Sequence, residues 1–115
     1  MGKTIISQNY YNQYTVLARF SATTSFAEYT LADDLTNYKY IYIATYGAGA
    51  PSSSTQAWGG TFIPTSMFID KVFGNFVISY RSDYYIEVGV GTTTKKISAK
   101  ASDSYSRGIA IYGLK

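Results

Sequence analysis

Acid–base chemistry in this chain would have to come from carboxylates, because its 115 residues include seven acidic residues but no histidine and no cysteine. Two of them are adjacent at Asp33-Asp34, and Asp83 and Glu87 are four residues apart. Adjacent side chains on a strand point to opposite faces, so Asp33-Asp34 is better suited to a turn or a helix N-cap than to catalysis. Histidine is the usual general acid or base. From these residue types and their spacing we therefore predict no catalytic residue, no metal site, no cofactor and no enzyme activity.

The residues best suited to ligand binding lie in and beside an irregular stretch at 47–60. It is rich in Gly, Ala and Ser and contains Trp58, the only tryptophan. Loops longer than about 12 residues in compact domains are often functional. Trp58 either covers one end of the domain or stacks against a sugar or a receptor. The predicted ligand-binding residues are Tyr46, Ser53, Gln56 and Trp58.

Residues 38–46 read as one strand with two unlike faces. Side chains alternate across a strand, so Ile41 and Ile43 are predicted to face a core. Tyrosines occupy the other face, at Tyr38, Tyr40, Tyr42 and Tyr46. A phenol has a large apolar body and a polar tip, which favours contact with a subunit, an opposing sheet or a ligand. A subunit interface or inner sheet surface is favoured, and the predicted interface residues are Tyr10, Tyr11, Tyr38, Tyr40 and Tyr42.

The rest of the chain alternates in the same way between short polar or glycine breaks, which is typical of an all-β fold. Further strands are predicted at residues 14–20, 26–31, 61–63, 72–80, 84–90, 94–99 and 105–112, with a shorter one at 4–7. One turn of helix is expected near Leu35, and residues 66–70 read as a strand or a turn. In the strand at 14–20, strict alternation places Tyr14 and Phe20 on the face opposite Arg19.

About eight to ten strands predict one domain over 1–115, an antiparallel two-sheet β-sandwich of jelly-roll-like type. Residues 1–12 are expected to form an extended lead-in or a subunit contact.

Composition narrows the possible functions. Aromatic residues make up 17% of the chain and charged residues 15%, well below the usual share of about 25%. That profile suits β-structure and extracellular binding surfaces. The net charge of +3 comes from scattered basic residues, which argues against nucleic-acid binding. Neither a signal peptide nor an apolar run of about 20 residues is present, so we expect a soluble product without membrane insertion.

Several short signatures occur in a fixed order along the chain. They are Tyr29-Thr30-Leu31, Asn37-Tyr38-Lys39, the Gly/Ser-rich stretch, Ile63-Pro64 and the terminal Ile109-Ala110-Ile111-Tyr112-Gly113-Leu114. Together they resemble the C-terminal tip domain of tailed-bacteriophage tail fibres and related tail structural proteins, over residues 20–115. The resemblance implies an all-β, jelly-roll-like domain, usually a homotrimer, that ends a fibre and contacts the host. It implies no fixed catalytic or binding residues.

Family members usually follow a long fibrous stem, whereas this chain reaches its first clear strand early. We therefore expect either an isolated module or a small protein that assembles without a stem. The expected function is a non-enzymatic, homotrimeric receptor-binding domain in the virion, made in the bacterial host cytoplasm. Its expected partners are a host surface glycan or protein and other virion tail proteins. Two alternatives stay open: a structural virion trimerisation or decoration protein, and a free-standing carbohydrate-binding lectin.

Overall fold

Two packed antiparallel sheets make up the fold. The computed structural model describes residues 14–47, 57, 59–72, 74–81, 84–102 and 107–115. Its strands are β1 (Tyr14–Ala22), β2 (Ala27–Thr30), β3 (Tyr40–Thr45), β4 (Gly59–Pro64), β5 (Phe76–Arg81), β6 (Tyr84–Val90), β7 (Lys96–Ala101) and β8 (Arg107–Leu114). A 3₁₀ turn (Leu35–Asn37) precedes β3, and a short helix α1 (Thr65–Ile69) follows β4. The predicted all-β sandwich is confirmed, and the strand predicted at 4–7 lies outside the described residues.

The first and last strands are neighbours in one sheet, and the second and seventh strands are neighbours in the other. The first sheet has the order β1-β8-β3-β4 and the second β2-β7-β6-β5. Pairing of β1 with β8 and of β2 with β7 is the nested arrangement of a jelly roll. The inner strands instead pair with their neighbours in sequence, as a β3–β4 hairpin and a β5–β6–β7 meander. The first sheet is therefore built around β8 and β3.

Isoleucines fill the space between the sheets. In the first sheet Ile41 and Ile43 of β3 lie beside Ile109 and Ile111 of β8, and all four are fully buried. The second sheet covers them with β-branched residues, Ile86, Val88 and Ile97. Each such side chain contributes roughly 1.5–3 kcal/mol when it leaves water. The predicted core face of Ile41 and Ile43 is confirmed.

A β-bulge interrupts β1. Val16 pairs with Tyr112 and Ala18 with Ile111, so Leu17 is an extra residue without a partner on β8. Its side chain is buried in the core, and its carbonyl accepts a hydrogen bond from the Ala32 N–H at 2.9 Å. A bulge of this kind reverses the alternation of side chains beyond it.

The strict alternation predicted for β1 is therefore wrong past Leu17. Arg19 lies opposite Ala110 and points outward, whereas Phe20 points inward and stacks on Tyr29 at 3.8 Å between ring centroids. Tyr14 and Arg19, predicted to lie on opposite faces, both line the outer side of the first sheet.

Two other predicted elements have different limits. Residues 66–70, predicted as a strand or turn, fall mostly in α1, which buries Phe68 against the core. The strand predicted from residue 72 begins only at Phe76. Lys71 and Gly74 before it have positive φ values of 54° and 73°, so the backbone turns there instead of extending.

Tyr38 lies in the core and not on the outer face predicted for it. The strand begins only at Tyr40, and Tyr38 caps the preceding 3₁₀ turn, so strand alternation does not govern its direction. Its ring packs over Gly113, where a Cβ atom would come within 2.6 Å of the Tyr38 Cγ. Its hydroxyl donates a hydrogen bond of 2.9 Å to Asp33.

Replacing Gly113 by alanine tests this close approach. We expect Gly113→Ala to lower the free energy of unfolding by about 1–3 kcal/mol, because the added methyl group overlaps a ring that the core holds in place. Urea denaturation measures the change. In a Tyr38→Leu background the same substitution should cost clearly less. An equal cost in both backgrounds would contradict the contact.

Candidate functional site

The outer side of the first sheet carries a cluster of aromatic side chains, which we call the aromatic face. It consists of Tyr14 from β1, Tyr40 and Tyr42 from β3, Phe62 from β4 and Tyr112 from β8. Tyr14 and Phe62 keep 56% and 52% of their surface exposed, and Tyr40 and Tyr42 are exposed as well. Aromatic side chains in these numbers are uncommon on an uncontacted surface, and contiguous exposed apolar patches mark interaction sites.

Strand register brings these rings together. Tyr112, Tyr42 and Phe62 are directly paired across β8, β3 and β4 and form one row across the sheet. Tyr14 contacts Tyr112 edge-on at 5.8 Å between ring centroids, and Tyr40 stacks on Phe62 at 5.2 Å. These separations are within the usual range for paired aromatic rings. The rings therefore support one another.

A row of small residues lies beside the aromatic row. Ala110, Ala44 and Gly60 are paired across β8, β3 and β4, and Arg19 of β1 is paired with Ala110 at the end of the row. Ala44 and Ala110 are fully buried against Tyr46 and Tyr112, and the groove, of about 390 Å³, lies among larger side chains from all four strands. Its lining residues are Tyr14, Arg19, Tyr42, Phe62, Tyr112 and Leu114.

The ring of Tyr42 lies over Gly60. A Cβ atom at Gly60 would come within 2.7 Å of the Tyr42 Cζ atom, so only glycine permits this position of the ring. Because Tyr42 is partly exposed, a larger residue at Gly60 can displace the ring without entering the core. Gly60 therefore sets the shape of one side of the groove.

Arg19 gives the groove its charge. Its guanidinium Cζ lies 5.9 Å from the centroid of the Tyr112 ring, a distance that permits a cation–π contact. The four strands of this sheet contain no Asp or Glu. Within the part of the chain that the structure describes, Arg19 forms no ion pair, and its side chain lines the groove.

Tyr46, predicted to bind a ligand, packs with the outer-side residues of the first sheet but is almost fully covered. It is 5% exposed and packs with Ala44 and Ala110. Its hydroxyl lies 3.4 Å from the hydroxyl of Tyr112. Burial, reinforced by that neighbouring hydroxyl, raises the pKa of Tyr46 to about 12. Tyr46 therefore stays neutral and supports the position of Tyr112.

The other predicted site residues separate into three groups. Tyr40 and Tyr42 are on the aromatic face, where the sequence placed them. Tyr38 is in the core. The remaining candidates lie outside the described residues, namely Tyr10, Tyr11, Ser53, Gln56 and Trp58.

Five residues of the site were not predicted: Tyr14, Arg19, Phe62, Tyr112 and Leu114. Phe62 and Tyr112 could have been found from the alternation of their strands, because Phe62 precedes the core residue Ile63 and Tyr112 follows the core residue Ile111. Arg19 could not be found that way, because the bulge at Leu17 determines its face.

Asp33 accepts three hydrogen bonds within the turn before β3. The donors are the backbone N–H of Asp34 (2.8 Å), the Asn37 amide (2.9 Å) and the Tyr38 hydroxyl (2.9 Å). All three favour the ionised form, and that of the Asp34 N–H is the strongest cause of the lowered pKa of the Asp33 carboxyl. The Asp33 carboxylate therefore stabilises the turn through these three hydrogen bonds.

Asp34 caps the 3₁₀ turn, as the sequence predicted. It accepts hydrogen bonds from the Thr36 N–H (3.0 Å), the Thr36 hydroxyl (2.7 Å) and the Thr94 hydroxyl (3.0 Å). These bonds lower the pKa of the Asp34 carboxyl, with the Thr36 N–H the main cause. Among the residues with a described structure, no three His, Cys, Asp or Glu side chains are grouped so that they could hold a metal ion.

The aromatic face therefore offers ring surfaces for stacking, phenol hydroxyls for hydrogen bonds and one guanidinium for an anion. No protein-family model, curated protein or solved structure matches this chain. In the described ranges, no helix has the length and apolar character needed to cross a membrane.

The lowered pKa values of Asp33 and Asp34 imply that the stability of the fold depends on pH. Both carboxyl pKa values lie below the ordinary 3.8 in the folded chain, so the native state favours the ionised forms. That stabilisation is fully present above about pH 4 and is lost as the pH falls through the lowered pKa values. We expect the double variant Asp33→Asn/Asp34→Asn to be less stable than the wild type at pH 7, with a difference that shrinks on acidification.

Thermal melts from about pH 7 to pH 2 measure this difference. Asp70→Asn is the matched control, because it removes one carboxylate at the exposed end of α1. The assignment fails if the double variant melts in parallel with the wild type at every pH.

Proposed function

We propose that this chain is a non-enzymatic surface-binding domain of the phage tail-fibre-tip type, which attaches to a bacterial host through the aromatic face. The observation that carries the proposal is the groove lined by Tyr14, Tyr42, Phe62 and Tyr112, with Arg19 at one side. Ligand sites are mostly apolar and supplied with a few polar groups, and this shallow groove has both properties.

The contrast between the two sheets supports this choice of surface. The outward side of the second sheet carries charged residues such as Glu28, Glu87 and Lys100. Lys100 there covers the ring of Phe26 at 5.1 Å, and Val77 is an isolated exposed apolar side chain. Isolated apolar residues are ordinary on protein surfaces, whereas a continuous aromatic groove is not.

The proposed role of the groove is to bind a ligand without catalysing a reaction. The groove contributes phenol rings, a phenyl ring, a leucine and a guanidinium, which suit stacking and hydrogen bonding. Following the family that the sequence resembles, we propose a homotrimer carried in the virion. Three linked copies of a weak site would gain avidity without any new contact.

Adsorption to bacterial cells tests the binding role. Fluorescently labelled protein is applied to a panel of bacterial strains, and we expect at least one strain to retain it. Phe62→Ala and Tyr42→Ala should each reduce retention by about tenfold or more, since aromatic anchors dominate interface energies. Both side chains are exposed, so the melting temperature should change little.

Val77→Ala is the control, because it removes an exposed apolar side chain from the opposite sheet. It should leave adsorption unchanged. Absence of adsorption to every strain, or an equal loss in the Val77 variant, would overturn the proposal.

The mass in solution tests the trimer separately. We expect native mass spectrometry to give three times the chain mass of 12.7 kDa. A monomer would remove the trimer from the proposal. If Phe62→Ala dissociates the trimer, the aromatic face is a subunit interface, and the structural alternative replaces the receptor-binding role.

A further inference from the structure

We infer that the groove of the aromatic face binds a sugar ring that bears a single carboxylate, with Arg19 as the contact for that carboxylate. The inference rests on the proposed function and specifies the ligand class of the same site. It depends on four features of the groove. These are the direction of the Arg19 side chain, the absence of Asp and Glu from the four strands, the exposed aromatic rings and the groove volume.

The bulge in β1 directs Arg19 to the groove. Tyr14 and Arg19 are an odd number of residues apart and would face opposite sides of a regular strand. The extra residue Leu17 restores them to one side, and Arg19, paired with Ala110, lines the groove together with Tyr14. Bulges are known to re-aim side chains near functional sites.

The positive charge of Arg19 favours an anionic ligand. No acidic residue occurs in β1, β3, β4 or β8, and the described residues place no carboxylate against Arg19. If a second copy of this face covered the groove, it would bring another Arg19 and no counter-charge. Burying a charge without a partner is costly, which disfavours the face packing against itself.

A carboxylate is the anion that a lone arginine suits best. The planar guanidinium donates two parallel hydrogen bonds to the two oxygens of a carboxylate. One cation balances one negative charge, whereas a phosphate monoester carries between one and two near neutral pH. Arg19 also lies against the Tyr112 ring, which limits the directions in which its donors can point.

The rings suit a saccharide. A sugar ring has an apolar face of C–H groups and a polar edge of hydroxyls, and the exposed rings of Tyr42 and Phe62 offer matching flat surfaces. The Tyr42 hydroxyl has no hydrogen-bond partner among the described residues, so it is available to a sugar hydroxyl. The groove volume of about 390 Å³ lies in the range of small-molecule sites, roughly 300–1,000 Å³.

Three sugars that differ only at one carbon provide the test. Galacturonic acid, galactose and galactose 6-phosphate are titrated into the full chain, and so are the corresponding glucose compounds, with binding followed by NMR. We expect at least one uronic acid to bind about tenfold or more tightly than its neutral sugar, as expected for a hydrogen-bonded ion pair. Added salt should reduce that preference.

Arg19→Gln should abolish the preference for the acid and leave the weak binding of the neutral sugar. Arg19→Lys should recover only part of it, because lysine lacks the paired donors. Lys100→Gln removes one positive charge from the opposite sheet and should change neither value. If Lys100→Gln weakens uronate binding as much as Arg19→Gln does, the effect is one of net charge and the inference is wrong.

Gly60→Ala tests the shape of the groove. The added methyl group displaces the Tyr42 ring, so acid and neutral sugars should both lose affinity while the melting temperature stays close to that of the wild type. Unchanged sugar affinity in this variant would overturn the placement of the ligand in the groove.

Other outcomes separate this inference from the proposed function. Tighter binding of a sugar phosphate, or equal binding of a glutamate-containing peptide, would overturn the carboxylated sugar as the ligand. If cell adsorption depends on Phe62 but neither on Arg19 nor on added uronate, the ligand class is wrong and the binding role stands. If uronate binds in the groove but no strain retains the protein, the host-attachment role is wrong.

Discussion

The pairing of β8 with β1 on one side and with β3 on the other is the constraint on which the rest of the first sheet depends. Residues 109–114 of β8 are each paired with a neighbour on both sides, so the two faces of this strand are fixed together. Ile109 and Ile111 enter the core, and Ala110 and Tyr112 point outward. A slip of one residue would exchange these faces, burying the phenol and exposing the isoleucines. The same backbone hydrogen bonds therefore specify both the core and the groove.

The tyrosines around β3 show how one residue type takes different roles over a few positions. Tyr38 fills the core above Gly113, where its hydroxyl reaches Asp33. Tyr40 and Tyr42 remain on the surface. Tyr46 is covered and supports the hydroxyl of Tyr112. The position of Tyr38 comes from the 3₁₀ turn before β3, whereas Tyr40 and Tyr42 follow the alternation of the strand.

The alternation of apolar and polar residues along the chain made most of the strands predictable from the sequence. The isoleucines of β3 were placed correctly because one side of that strand is strongly apolar. The cap at Asp34 was predictable because its side chain bonds to the backbone two residues ahead, which is a purely local interaction. Helix α1 was missed because five residues are too few for helical periodicity to show.

The candidate site was less predictable than the fold. Its parts come from four strands that are distant in sequence, and no local pattern reports which side chains become neighbours across a sheet. Tyr40 and Tyr42 were found because their strand is unusually rich in tyrosine. The position of Arg19 depends on a bulge, and a bulge is defined by the partner strand as much as by its own. The sequence of β1 reads equally well as a regular strand.

The bulge also bears on how this surface tolerates changes in chain length during evolution. Loss of Ala18 would leave a regular β1 in which Leu17 faces inward opposite Ile111, while Tyr14 and Arg19 still face outward. The chain can thus lose one residue there and retain the same groove. A single-residue deletion within β8 has no such freedom, since it would reverse one half of the strand against both neighbours. Length variation among relatives should therefore be accepted in β1 and purged from β8.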